Sequence, residues 1–101
     1  MSYQDFKIEL EKRTKNFAIS TFRLTSSLPN IAEANVVRNQ LAKSASSIGA
    51  NYREANRARS KADFINKISI CESEASETEF WIELIQEMKW GSNEESEKLQ
   101  N

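Results

Sequence analysis

Five basic side chains cluster within fifteen residues near the middle of this 101-residue chain. They are Arg53, Arg57, Arg59, Lys61 and Lys67. Guanidinium and ammonium groups bind phosphates, and a concentrated group of them is the electrostatic footprint of a nucleic-acid contact. Because turns between helices are also rich in Lys and Arg, the cluster predicts a candidate phosphate contact, with a simple solvated turn as the alternative.

The residue types that carry enzymatic chemistry are sparse. The chain has no histidine, so it lacks the usual general base and the usual metal ligand. Its only cysteine, Cys71, therefore has no histidine partner for nucleophilic catalysis. Glu74 and Glu77 are three residues apart, but carboxylate metal sites in helical bundles pair such a glutamate with histidine. We therefore expect a protein that is not an enzyme, with no cofactor, no metal and no small-molecule substrate.

Three long segments repeat apolar or small residues at steps of three and four, the period of a helix with one buried face. These segments predict helices over about 3–26, 32–57 and 61–89. The first stripe comprises Phe6, Leu10, Phe17, Ala18, Thr21, Leu24 and Leu28; the second, Val37, Leu41, Ser44, Ala45, Ile48, Tyr52 and Ala55; the third, Phe64, Ile68, Cys71, Ala75, Thr78, Ile82 and Ile85. An all-α chain of this length is expected to form a single domain over 1–101.

Start and stop signals lie between these segments. Pro29 lacks a backbone N–H and ends the first helix. Ser60 is followed three residues later by an acid, the pattern of a capping box, and is expected to begin the third helix. Gly91 is well placed to end that helix. Ser92 begins a second capping box, which predicts a fourth helix over 93–101 that is short or truncated.

Gly49 interrupts a helical pattern where no turn is expected. It lies in a run of small residues over 44–50. Glycine within a helix costs about 1 kcal/mol relative to alanine, so another helix is expected to pass close to it.

Two further patterns predict association between copies of the chain. Ile8, Ile19 and Phe22 fall beside the first stripe, whereas Trp81 and Leu84 begin a second apolar edge on the third helix that also includes Met88. A second apolar edge suggests burial on two sides. Residues 1–71 hold 12 basic and 6 acidic side chains, whereas 72–97 hold 9 glutamates and one lysine. Such opposite charges pair between helices or subunits, or else solvate an exposed face.

The chain is expected to be cytoplasmic. No apolar run approaches the roughly 20 residues of a membrane span, and no secretory signal follows Met1. A lone cysteine on an apolar stripe is typical of a buried, reduced thiol.

Three sequence motifs resemble a known family. The segment 47–55, SIGANYREA, resembles the S-I-G-A-N-x-x-E-A signature of the bacterial 23S rRNA intervening-sequence proteins, often called four helix bundle proteins. The segments SKADFI at 60–65 and ETEFW at 77–81 match in the same order and spacing. The resemblance covers about residues 36–90. The signature positions are Ser47, Gly49, Asn51, Glu54 and Glu77, which we interpret as packing residues.

The resemblance implies an antiparallel, up-down-up-down four-helix bundle that forms homo-oligomers, typically homopentamers. Some members of the family are encoded inside insertions of the large-subunit ribosomal RNA gene. A relative of similar fold, the accessory protein of diversity-generating retroelements, binds nucleic acid and a reverse transcriptase. That relative is strongly basic, whereas this chain has a net charge of -1 and a shorter fourth helix.

The polar signature residues have a second interpretation. In an antiparallel helix pair that turns near residue 59, Asn51 and Glu54 lie opposite the first turns of the third helix. Lys67 is then a candidate partner for either of them. A buried link of this kind would fix the register of the two helices more than it would add stability. The alternative is that Asn51 and Glu54 are both solvated.

Two function classes follow. The first is a non-catalytic, homo-oligomeric interaction protein that binds itself or another protein. The alternative is an RNA-binding accessory factor that uses the basic cluster at the turn between the second and third helices. The two classes differ in one observable property, because only the second requires affinity for nucleic acid.

Overall fold

The computed structural model of the protein describes residues 1–91, which form three α-helices. Helix α1 spans Tyr3–Ser26, α2 spans Ala32–Ala55 and α3 spans Lys61–Met88. The predicted all-α class is confirmed, with three helices in the described residues. The predicted fourth helix over 93–101 lies outside the described residues.

The N-terminus of α1 is closed by a capping box. The Asp5 N–H donates to the Ser2 hydroxyl at 3.0 Å, and the Ser2 N–H donates to the Asp5 carboxylate at 3.4 Å. The carboxylate also lies at the positive end of the helix dipole, which stabilises the first turn. The helix ends just before Leu28 and Pro29, as predicted, with Ser27 as its C-terminal cap.

The start of α2 has no side-chain cap. Its N-cap residue, Ile31, has an extended backbone and an apolar side chain that makes no capping hydrogen bond. Instead, Arg38 holds the turn that precedes it. The guanidinium of Arg38 donates to the backbone oxygens of Thr25 at 3.1 Å and Leu28 at 2.8 Å. Both carbonyls lie at the end of α1, and the Thr25 oxygen also accepts the Leu28 N–H at 3.3 Å. One side chain thus fastens the α1–α2 connection.

Helix α2 ends two residues earlier than the sequence pattern predicted. The Arg57 N–H donates to the Glu54 oxygen, and the Ala58 N–H donates to the Ala55 oxygen, each at 3.0 Å. Both bonds span three residues rather than four, so the last turn is tightened and the α-helix stops at Ala55.

Ser60 begins α3 as predicted, because its hydroxyl accepts the Asp63 N–H at 3.1 Å. The other end differs from the prediction. Lys89, rather than Gly91, adopts the left-handed conformation that ends the helix, with φ of 58°. Gly91 follows with φ of 68°, and a methyl group on it would lie 2.7 Å from the Ser27 hydroxyl. Gly91 therefore lets the chain pass close against the end of α1.

Helix α2 packs between α1 and α3. The apolar core lies where the C-terminal half of α1, the N-terminal half of α2 and the C-terminal part of α3 meet. Its buried members are Leu24, Leu28, Ala34, Val37, Leu41, Ala45, Ile82 and Ile85. The described fold is elongated and flat, with extents of 44, 25 and 17 Å. Within residues 1–91, no helix is both long and apolar enough to cross a membrane.

The apolar stripes are less buried at the end of the molecule that lies away from this core. Phe6 is half exposed, and Leu10 and Phe64 are only partly buried. Ala75 was placed on the α3 stripe but is exposed. Helical periodicity identifies the side of a helix that turns inward, but it does not say how many neighbouring helices cover that side.

Candidate functional site

The predicted basic cluster lies at the turn between α2 and α3, and it divides into two parts. Arg57, Arg59 and Lys61 are exposed at the turn itself. Among the described residues, none of these three has a carboxylate within ion-pair distance. We call these three residues the basic turn. Their charged groups are available to phosphates, because neither burial nor a partner in residues 1–91 occupies them.

The two outer members of the cluster are paired. The Arg53 Nε lies 3.5 Å from the Glu11 carboxylate of α1. The Lys67 Nζ lies 2.8 Å from the Glu54 carboxylate of α2. These contacts neutralise part of the cluster. The structure therefore brings the five predicted residues to one end of the molecule, and three of them have no ion-pair partner within residues 1–91.

The Glu54–Lys67 pair changes the titration of both groups. The hydrogen bond and the charge of Lys67 lower the pKa of Glu54 below its ordinary value. The same contacts with Glu54 raise the pKa of Lys67. The pair joins α2 to α3 and makes Glu54, rather than Asn51, the partner of Lys67. Glu54 is exposed and Lys67 is partly buried, so the link lies at the surface and is not the buried one that the sequence left as one of two alternatives.

Asn51 does not join that link. Its Nδ2 donates to the Ser47 backbone oxygen at 2.8 Å, one turn earlier in the same helix. Glu77 is exposed on α3 and accepts a hydrogen bond from the Trp81 Nε1 at 3.4 Å. The signature residues therefore lie at separate places rather than in one cluster.

Gly49 lies at the crossing of α1 and α2. A methyl group on Gly49 would lie 3.2 Å from the Thr14 hydroxyl oxygen and 3.4 Å from the Thr14 carbonyl carbon. The predicted close approach of another helix is confirmed, and the approaching helix is α1. This crossing positions a groove beside it.

The α1–α2 groove has a volume of about 260 Å³. Its lining comes from both helices: Glu11, Thr14, Lys15, Ala18, Ser46, Gly49, Ala50 and Arg53. Small residues form its apolar part, and Lys15 and Arg53 bring two positive charges. The Glu11 carboxylate is held by Arg53 and accepts the Asn56 Nδ2 at 2.9 Å. The sequence pattern did not indicate this groove, because its lining is divided between helices whose register the sequence leaves open.

Cys71 is the remaining candidate for chemistry. It is partly buried, and its Sγ lies 3.5 Å from the Ile48 backbone oxygen. Burial raises the pKa of this thiol, which disfavours the reactive thiolate. No group of three or more potential metal ligands is found within residues 1–91.

The fold and these surfaces define an all-helical protein with one central helix, a basic turn and a small groove beside a tight helix crossing. The chain belongs to the 23S rRNA-intervening sequence protein family, whose family model matches residues 7–101. The resemblance drawn from the three sequence motifs is thereby confirmed.

A solved structure supports the same assignment. The chain is similar to a protein of unknown function from the S23 ribosomal protein family of Bacteroides thetaiotaomicron, with a TM-score of 0.82 and 38% sequence identity. The similarity covers 92% of this chain and 83% of that one. Among curated proteins, none matches the chain.

Proposed function

We propose that this chain is a non-catalytic interaction protein that works as a homo-oligomer. The supporting observation is the apolar surface that the described helices leave exposed. Large apolar side chains with 40% or more of their surface exposed occur on all three helices: Tyr3, Phe6, Ile8, Ile19 and Phe22 on α1, Val36 on α2, and Ile65, Phe80 and Met88 on α3. Exposed apolar side chains in this number, present on every described helix, are what an interface between copies would cover.

The proposal includes the finer architecture. A fourth helix over 93–101 would complete an up-down-up-down bundle with α1, α2 and α3. Five copies would assemble, in line with the family resemblance. A free thiol at Cys71 suits the reducing cytoplasm, where we place the protein.

Light scattering coupled to size exclusion tests the oligomer directly. One chain has a mass of 11.6 kDa, and we expect several times this mass at micromolar concentration. On dilution, the mass should fall only when the protein concentration drops below the dissociation constant of the oligomer. A mass of one chain throughout the micromolar range would overturn the proposal.

A second candidate function is binding of RNA, and the basic turn favours it. Arg57, Arg59 and Lys61 are exposed and unpaired among the described residues. In a homo-oligomer this turn is repeated in every copy, so several weak phosphate contacts would act on one RNA together. The name of the family refers to an intervening sequence of 23S rRNA, and structured RNA is accordingly the ligand to test.

A further inference from the structure

The α1–α2 groove has the size of a site for a side chain. Its volume of about 260 Å³ is below the range of about 300–1,000 Å³ that is usual for pockets that bind small molecules. Ala18, Gly49 and Ala50 give it an apolar part, and Lys15 and Arg53 add positive charge beside it. With Glu11 included, the groove holds two basic groups and one acidic group, a balance of +1.

A matching surface lies on α3. Phe80 is 51% exposed, and its ring packs edge-on against Trp81 with the ring centres 5.0 Å apart. Glu77 and Glu83 lie three residues before and after Phe80, so both flank it on the same side of the helix, and both are exposed. This surface therefore has an aromatic centre and an acidic rim. The contact with Trp81 restricts the Phe80 ring, which lowers the entropic cost of docking it.

The helices that carry the two surfaces are opposite in charge. Helix α3 carries seven acidic and two basic residues, a balance of -5, whereas α1 and α2 together carry eight basic and five acidic residues, a balance of +3. An apolar centre surrounded by charged groups of opposite sign is the usual anatomy of a specific protein interface.

We infer that the α1–α2 groove of one copy receives Phe80 of a second copy, which rests on the proposed function as a homo-oligomer. The occupant is an exposed aromatic side chain, and the carboxylates of Glu77 and Glu83 lie near Lys15 and Arg53. The groove and Phe80 are different surfaces of the same chain, so each copy offers one of each. All of them are occupied when the copies close into a ring, or when two copies dock into each other about a two-fold axis. The closed ring is the arrangement that accords with the five copies of the proposed function.

Disulfide trapping tests the contact between the groove and Phe80. In a Cys71→Ala background, one variant carries Ala50→Cys in the groove, and another carries Ser76→Cys, one turn before Phe80. Both positions are exposed. Each variant is oxidised alone with copper phenanthroline, and then the two are co-expressed and oxidised together. We expect a covalent dimer only in the co-expressed sample, because each chain then supplies one half of the contact.

The outcomes separate this inference from the proposed function. A covalent dimer formed by either variant alone would show that like surfaces meet, and it would overturn the contact between the groove and Phe80. An oligomer by light scattering without a covalent dimer in the co-expressed sample would overturn the inference and leave the proposed function in place. A wild-type mass of one chain would overturn both.

Truncation of the docking side chain gives a second test. Phe80→Ala is expected to weaken self-association at least about tenfold, because a buried aromatic residue at the centre of an interface is a typical hot spot. Asn66→Ala is the control, since Asn66 is an exposed polar residue of the same helix that belongs neither to the exposed apolar surface nor to the acidic rim. Equal dissociation constants for the two variants would overturn the role of Phe80. Circular dichroism confirms that both variants remain helical.

Discussion

Gly49 and Thr14 bring α1 and α2 into contact at the level of the backbone. A methyl group on Gly49 would lie 3.4 Å from the carbonyl carbon of Thr14, so the neighbouring helix itself limits the space. The Thr14 hydroxyl is held in place by its bond to the Glu11 backbone oxygen at 3.0 Å. A side chain at this position would therefore press against Thr14 and require α1 to shift by a few tenths of an ångström, whereas glycine fits without a shift but weakens the helix that contains it.

Replacement of Gly49 by valine should therefore destabilise the protein. Valine has higher helix propensity than glycine, so any loss of stability reports crowding against Thr14. Overpacking of this kind costs about 1–3 kcal/mol, and each kcal/mol lowers the Tm of a domain of this size by about 4–8 °C. Thermal denaturation measures the change. Lys43→Val, an exposed site on the same helix, is the control and should change stability by less than about 0.5 kcal/mol. An unchanged Tm for Gly49→Val would contradict the tight crossing.

The buried contact between Ser44 and Thr78 should show energetic coupling. The Thr78 hydroxyl lies 2.8 Å from the Ser44 hydroxyl of α2. It also lies 2.8 Å from the Glu74 backbone oxygen, one turn earlier in α3. Both side chains are almost completely buried. Thr78→Val leaves Ser44 without this partner, whereas the double variant with Ser44→Ala removes both groups. We expect the double variant to be more stable than the sum of the single effects predicts, by about 0.5–1.5 kcal/mol.

Urea denaturation of the two single variants and the double variant gives this coupling. The control cycle replaces Ser46 instead of Ser44, because the Ser46 hydroxyl bonds within α2 and has no bond to Thr78. That pair should be additive within about 0.5 kcal/mol. Additivity in the Ser44 cycle as well would show that the two hydroxyls contribute independently.

The Glu54–Lys67 pair predicts a dependence of stability on pH. Because the pKa of Glu54 is lowered on folding, its contribution is present above the ordinary glutamate pKa of about 4.3 and is lost as the pH falls through the lowered value. The pKa of Lys67 is raised, so its contribution is present below the ordinary lysine pKa of about 10.4 and is lost as the pH rises through the raised value. The pair is therefore most effective near neutral pH.

Glu54→Gln tests this dependence. The difference in Tm between the wild type and this variant should be largest near neutral pH at low salt, and it should shrink on acidification and in high salt, because the pair is exposed. Glu79→Gln, at an exposed carboxylate of α3 with no ion pair among the described residues, is the control and should show a smaller effect. A difference that grows as the pH falls would contradict the assignment.

Much of this fold could be predicted because its signals are local. The period of the apolar residues located three helices, and Pro29 and Ser60 marked their ends. Gly49 also gave a correct prediction, because a glycine that no turn requires implies a close neighbour. The position of the turn made Lys67 a candidate partner for either Asn51 or Glu54, and the structure pairs it with Glu54.

The features that the sequence did not reveal depend on distant parts of the chain. The role of Arg38 in holding the end of α1 depends on how α2 returns along α1, and no local pattern encodes that angle. Whether the Glu54–Lys67 pair is buried depends on what covers it, which the register does not determine. The groove can be recognised only when α1 and α2 are placed against each other. The surface around Phe80 can be recognised only when Phe80 and the glutamates beside it are placed on one face of α3.

The basic turn predicts a particular form of RNA binding. Phosphate contacts release counterions, so affinity should fall steeply between about 50 mM and about 200 mM salt. No element of residues 1–91 is placed to read base edges, so binding should follow the shape and charge of a structured RNA more than its sequence. Replacement of Arg57, Arg59 and Lys61 by alanine should lower the affinity and flatten the dependence on salt. Fluorescence anisotropy with a labelled RNA hairpin measures both quantities.

A charge-matched variant separates the turn from net charge. Replacement of Lys12, Arg13 and Arg23 removes three exposed basic groups from α1, and it should weaken binding less than replacement of the basic turn does. Light scattering should give the wild-type mass for both triple variants, since the replaced residues are exposed at positions outside the apolar contacts. Equal losses of affinity in the two variants would indicate attraction by overall charge, with no localised site. No binding by the wild type at about 50 mM salt and micromolar concentrations would exclude RNA binding, because electrostatic contacts are strongest under those conditions.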